Sequence, residues 1–115
     1  MAQIKLAYMR KNCKSCERAH AYVHHLLDGV PTQDARKNPV SAADAWTWLQ
    51  DVRIIKTARG QRIRTWHIGS DDEESILQDI IGRSGNLRAP ALIVDDMVII
   101  GWHEKLYREW LPHQS

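Results

Sequence analysis

Two cysteines, Cys13 and Cys16, stand where a short apolar run gives way to the start of a helix, and they are the only cysteines in the chain. The run Ile4-Lys5-Leu6-Ala7-Tyr8-Met9 reads as a strand, and Arg10-Lys11-Asn12 turns it into Cys13-Lys14-Ser15-Cys16. Near the other end, Leu87-Arg88-Ala89-Pro90-Ala91-Leu92-Ile93-Val94 places a proline at the head of a second apolar strand. A Cys-x-x-Cys at a strand-to-helix junction is the arrangement of a dithiol redox site. It constrains the fold strongly, because the strand must feed straight into the helix and the proline-led strand must come up beside it.

A chain of 115 residues is enough for one domain, 1–115, with a single core and no need of disulfide staples. Hydrophobic residues at 43% and charged ones at 26% exclude a disordered polymer. A net charge of +2 does not by itself call for a nucleic acid or a membrane surface. No apolar stretch is long enough to span a bilayer. Lys5 interrupts the first apolar run and no cleavable small-residue site follows, so no signal peptide is expected. Two thiols without a secretion signal point to a reducing, cytoplasmic setting, where the pair is catalytic or metal-binding rather than structural.

Between the landmarks, Cys16, Ala19, Val23 and Leu26 or Leu27 follow helical spacing, which predicts a helix from Cys13 to Leu27 stopped by Gly29. A short strand is expected over Val30 to Ala35. Ser41 with Asp44 marks a helix start, and Ala45, Trp48, Leu49 and Val52 give its buried face. Arg53-Ile54-Ile55-Lys56 and Arg62-Ile63-Arg64-Thr65-Trp66 flank Arg59-Gly60 as a hairpin. Ser70 with Glu73 predicts another cap, opening a helix carried by Ile76, Leu77, Ile80 and Ile81 and ended by Gly82. Pro90–Val94 and Met97–Ile100 read as strands around an Asp95-Asp96 turn. A last helix bears Leu106, Tyr107, Trp110 and Leu111 and stops at Pro112. The order is β-α-β-α-hairpin-α-β-β-α, an α/β sandwich whose first two strands run parallel and whose closing pair runs antiparallel.

Cys13 is the candidate nucleophile, because the unsatisfied N–H groups and partial positive charge of a helix start favour the thiolate, and Lys11 and Lys14 add charge nearby. Cys16, one turn deeper, is the resolving thiol. The set Cys13, Cys16, His20 and His24 has the look of a zinc site, but on one helix Cys16 and His24 lie about 12 Å apart along the axis, too far for one ion. No metal or other cofactor is expected. A cis Ala89–Pro90 bond would make Pro90 a wall of the site and turn the Ala89 backbone groups toward Cys13, ready to pair with an extended substrate. The basic residues Arg53, Lys56, Arg59, Arg62 and Arg64 cluster on the hairpin, where a solvated surface is the simpler reading than an anion site. Trp46, Trp66 and Trp102 are expected to serve the core.

Cys13-Lys14-Ser15-Cys16-Glu17-Arg18-Ala19, Leu87 to Leu92 and Ile100-Gly101-Trp102-His103-Glu104-Lys105-Leu106 together resemble the arsenate reductase (ArsC)-related branch of the thioredoxin/glutaredoxin superfamily, which includes Spx-type regulators. The resemblance implies a thioredoxin-like sandwich: a small mixed four-stranded sheet with helices on both faces, and a helix and hairpin region inserted between the βαβ and ββα halves. It matches Cys13 to the reactive cysteine and Pro90 to a cis proline. Lys14, Arg88, Ala89 and Pro90 then become the substrate-binding positions. Arsenate-reducing members commonly carry arginine directly before that proline, where this chain has Ala89, and Glu17 stands where a basic residue is usual. A buried carboxylate beside the nucleophile repels an oxyanion, so thiol substrates are favoured. The expected activity is thiol–disulfide oxidoreduction on a disulfide protein or a glutathione-like molecule, by a monomer with no membrane or nucleic-acid partner. An oxyanion reductase, or an Spx-like redox switch docking on the transcription machinery, is the alternative.

Overall fold

The structure is a computed structural model that describes residues 3–111. Six strands and four helices follow in the expected order: β1 (Ile4–Met9), α1 (Lys14–Val23), β2 (Thr32–Asp34), α2 (Ala42–Trp48), β3 (Ile54–Arg59), β4 (Arg62–His67), α3 (Glu73–Ile80), β5 (Ala91–Val94), β6 (Met97–Ile100) and α4 (Glu104–Trp110). The fold is α/β, built on one mixed sheet of order β2-β1-β5-β6-β3-β4. β1 pairs parallel with β2, and β5 pairs antiparallel with both β1 and β6.

The four-stranded expectation is corrected here. The hairpin β3–β4 is not an appendage but two further strands of the same sheet, because β3 pairs parallel with β6 from Ile54–Met97 to Thr57–Ile100. All four residues of β6 are buried. A strand buried on both faces needs hydrogen-bonded neighbours along both edges, and β3 supplies the second one.

Alternation across the pleat divides the core in two. Ala7, Leu92, Val94, Met97, Ile99 and Ala58 meet Ala19 and Val23 of α1 and Leu106, Tyr107 and Leu111 at α4. Tyr8, Ala91, Val98, Ile100 and Ile55 meet Ala45 of α2, Leu49, and Ile76 and Ile80 of α3. Each fully buried Ile or Leu in these layers contributes about 1.5–3 kcal/mol. Helix pairs therefore cover both faces, and no helix among the described residues is long and apolar enough to cross a membrane.

Several boundaries move for local reasons. The first helix ends at Val23 and continues as one 3-10 turn, His24–Leu26, before Gly29 turns the chain at φ 77°. Ser41 does cap α2, accepting from the Asp44 N–H at 3.2 Å. The next cap is Asp72, accepting from the Ser75 N–H at 3.0 Å, rather than Ser70. The Asp71 carboxylate accepts from the His67 N–H and Gly69 takes φ 91°, so a turn occupies the residues before the helix. Gly82 does not cap α3: Ile81 is already extended and bridges to Leu87. Trp110 is exposed, lying against the Lys56 ammonium at 4.9 Å from its ring centroid. The stop expected at Pro112 lies outside the described residues.

Candidate functional site

Cys13 ends the turn after β1 in extended backbone (φ −117°, ψ 119°) and is the N-cap of α1. Its Sγ accepts the Cys16 N–H at 3.4 Å, and its carbonyl accepts the Glu17 N–H at 2.9 Å. A sulfur thus takes the place usually held by a Ser or Asp oxygen at a helix start. Cys16 is 2% exposed, and its Sγ accepts the Arg10 N–H at 3.4 Å. Burial pushes the Cys16 thiol up to about 12, and the neighbouring Cys13 adds to the rise against the opposing pull of the Arg10 N–H. Both residues are free cysteines, and they approach to 3.2 Å. One thiol is therefore partly exposed at a helix start, with a protonated one packed directly beneath it.

Cys13 opens onto a cleft of about 770 Å³ whose far wall includes Leu87, Arg88 and Ala89. The Ala89–Pro90 bond is cis. Ala89 lines the cleft, whereas Pro90 is buried behind it, so the wall is Ala89 rather than Pro90. Lys14 is exposed on the first turn of α1 and does not line the cleft. Arg88 lines the cleft as well. Its guanidinium donates to the carbonyl oxygens of Asp79 (2.8 Å) and Ala58, which commits part of its donor set within the protein.

Arg10, Arg36 and Arg83 also line this cleft, and none of its described lining residues is Asp or Glu. None of these three arginines has a carboxylate within ion-pair distance among the described residues. The expectation of a buried Glu17 beside the nucleophile fails. Glu17 is exposed and lines a second groove, which Cys16, Arg10 and His20 also line. It does not line the cleft onto which Cys13 opens. Among the described residues no cluster of three or more His, Cys, Asp or Glu is placed to hold a metal ion. Trp102 packs on Tyr107 with ring centroids 4.6 Å apart, as expected of a core residue.

Residue spacing also passed over a buried polar centre. Asp79, 7% exposed, accepts from the Thr57 hydroxyl at 2.6 Å, Trp66 Nε1 at 2.8 Å and Arg59 Nε at 3.1 Å. Burial raises its pKa, but these three hydrogen bonds and the charge of Arg88 outweigh burial and hold the carboxyl below its ordinary value. The available signal was an acidic residue between Ile76 and Ile80 on the apolar stripe of α3. Compared with protein-family models and with curated protein sequences, the chain matches none.

Proposed function

We propose that this protein is a thiol–disulfide oxidoreductase acting through Cys13 and Cys16 in a reducing, cytosolic setting, on a thioredoxin-like scaffold of the ArsC-related kind. The observation that carries the reading is the partly exposed N-cap thiol of Cys13 on an open cleft, with the buried Cys16 3.2 Å away. Strands β2, β1, β5 and β6 by themselves make a small mixed four-stranded sheet of the sort this scaffold requires.

The Cys13 thiolate attacks one sulfur of a substrate disulfide. A Cys13–substrate S–S bond forms as the substrate S–S bond breaks, and the first substrate thiolate leaves and takes up a proton from solvent. Cys16 then attacks the Cys13 sulfur, forming the Cys13–Cys16 bond while the second substrate thiolate departs with the Cys16 proton. The substrate gains two electrons, the dithiol loses two, and an external thiol reductant restores the protein. The high Cys16 pKa keeps that thiol protonated until the mixed disulfide places a leaving group beside it. The Ala89 backbone offers pairing groups to an extended substrate chain. Unpaired Arg10, Arg36 and Arg83 suit a substrate carrying carboxylates, as glutathione does.

That same trio of arginines favours a second reading, an oxyanion reductase of the arsenate-reducing kind, since it provides the convergent positive charge that such a substrate demands. Turnover of a glutathione mixed disulfide and of arsenate, measured in parallel for wild type, Cys13→Ser and Cys16→Ser, separates the two. Cys13-dependent reduction of the disulfide is the expected result, and a Cys16→Ser pull-down should trap the partner on Cys13. No turnover of either substrate, with partner affinity that changes on oxidation, would replace the enzyme by a redox switch.

A further inference from the structure

A second cavity, of about 370 Å³, lies between the hairpin and α3. Strand alternation brings Arg59, Arg62 and Arg64 onto one face, across from Ser75 and Gln78 of α3, with Trp66 at the side. The register Tyr8–Ala91–Ile100–Thr57–Arg64 runs straight across the sheet, which puts Arg64 four strands from β1. At about 4.8 Å per strand, the cavity's strands β3 and β4 lie roughly 14 and 19 Å from the strand that leads to Cys13. It is a separate site.

Its charge is unbalanced. The one carboxylate that lines it, Asp79, is already taken by Thr57, Trp66 and Arg59, with Arg88 3.9 Å behind it. Arg62 and Arg64 have no hydrogen-bond or ion-pair partner among the described residues, and Arg64 lies 6.0 Å from the Trp66 ring centroid. Like charges held in one concave site repel unless an anion joins them, and guanidinium forks match the oxygens of a phosphate. Arg59 and Arg62 are exposed and Arg64 is half-buried. Here Arg59 is pinned by Asp79 and Arg64 lies beside a Trp66 whose indole nitrogen is also held by Asp79.

We propose that this pocket is a binding site for a phosphate dianion, either free or as the monoester group of a small molecule. Two negative charges offset the surplus that a single carboxylate would leave. The cavity volume falls at the lower end of the roughly 300–1,000 Å³ of small-molecule sites. The inference does not depend on the dithiol chemistry, and Cys13→Ser should bind as wild type does.

Calorimetric titration with inorganic phosphate, against acetate and chloride at equal ionic strength, tests it. Saturable phosphate binding is expected, weakened roughly tenfold by Arg62→Ala or Arg64→Ala, the loss of about one charge-assisted contact. Arg53→Ala, on the same hairpin segment but outside the pocket, should leave it unchanged. Circular dichroism confirms that each variant folds, which is expected because neither Arg62 nor Arg64 ties the structure together. O-phosphoserine forms the second arm: tighter binding than inorganic phosphate assigns a monoester ligand, and equal binding assigns the free ion. Absence of saturable binding, equal affinity for acetate, or equal loss in Arg53→Ala would overturn the site.

Discussion

Arg88 and Asp79 are bound main chain to side chain: Arg88 Nη1 donates to the Asp79 carbonyl at 2.8 Å while standing 3.9 Å from its carboxylate. The same guanidinium reaches the Ala58 carbonyl, so one side chain ties the end of α3, the end of β3 and the residue before Ala89 together. Arg88 lines the cysteine cleft, and Asp79 lines the arginine pocket. This pair is the wall between the two cavities.

Removing the acceptor should be costly. Asp79→Ala strands the Thr57 hydroxyl and the Trp66 indole N–H and unpairs Arg59, and a loss of about 3 kcal/mol or more is expected in urea denaturation. Asp79→Asn, which keeps an acceptor oxygen, should lose less. A variant within 0.5 kcal/mol of wild type, the range of ordinary surface changes, would mean that the centre is dispensable.

The same carboxylate sets an acid dependence. Its folded pKa lies below the ordinary 3.8, so below pH 3.8 the unfolded chain binds more protons than the folded one. The Asp79 contribution is present above that pH and is lost as pH falls through the folded value. Stability measured between pH 5 and pH 2 should fall less steeply in Asp79→Asn than in wild type; parallel curves would refute the assignment.

Cys16 works in the opposite direction. Its thiol is raised from 9.0 to about 12, so between those values the unfolded chain ionises first. Stability from this group is complete below pH 9 and declines as pH rises toward 12. Cys16→Ala should flatten the alkaline limb of a stability–pH curve above pH 9 in the reduced protein. An unchanged limb would show that the thiol is not protected by burial.

Thiol labelling should follow exposure. With limiting iodoacetamide at pH 8, Cys13 should be modified first and Cys16 only after unfolding, as read by peptide mass spectrometry. Preferential labelling of Cys16 would exchange the roles of the two cysteines.

Gly101 sits where the backbone leaves no room for a side chain. It takes φ 90° just after β6, and an added Cβ would overlap the Ala58 carbonyl oxygen. Gly101→Ala should therefore destabilise the protein by about 2 kcal/mol or more. A thermal midpoint unchanged from wild type would argue against this close approach of β3 and β6.

Much of the architecture was legible from spacing. The helix stripe of Cys16, Ala19 and Val23, the alternation on the hairpin and the Ser41 cap each depend on side chains no more than a few residues apart, and short-range sterics and hydrogen bonds decide those. The dithiol was legible for the same reason, since Cys16 N–H reaches Cys13 Sγ within one turn. Pairing was not. Whether a hairpin hangs off a sheet or extends it depends on which strand edge remains open, and β3 pairs with β6 across the long separation from Ile54 to Met97.

The sequence by itself determined the element order, the cysteine pair and its place at a helix start, because those are properties of neighbouring residues. The tertiary structure alone decided the surroundings. Arg10, Arg36 and Arg83 come from separate segments, and sheet pairing and helix packing bring them together at the cleft of Cys13. Arg88 looked like a ligand for substrate beside Pro90, and long-range packing commits part of its donor set to Asp79 and Ala58. A buried guanidinium must satisfy its donors wherever acceptors lie, and the position of those acceptors is set by residues far away in the chain.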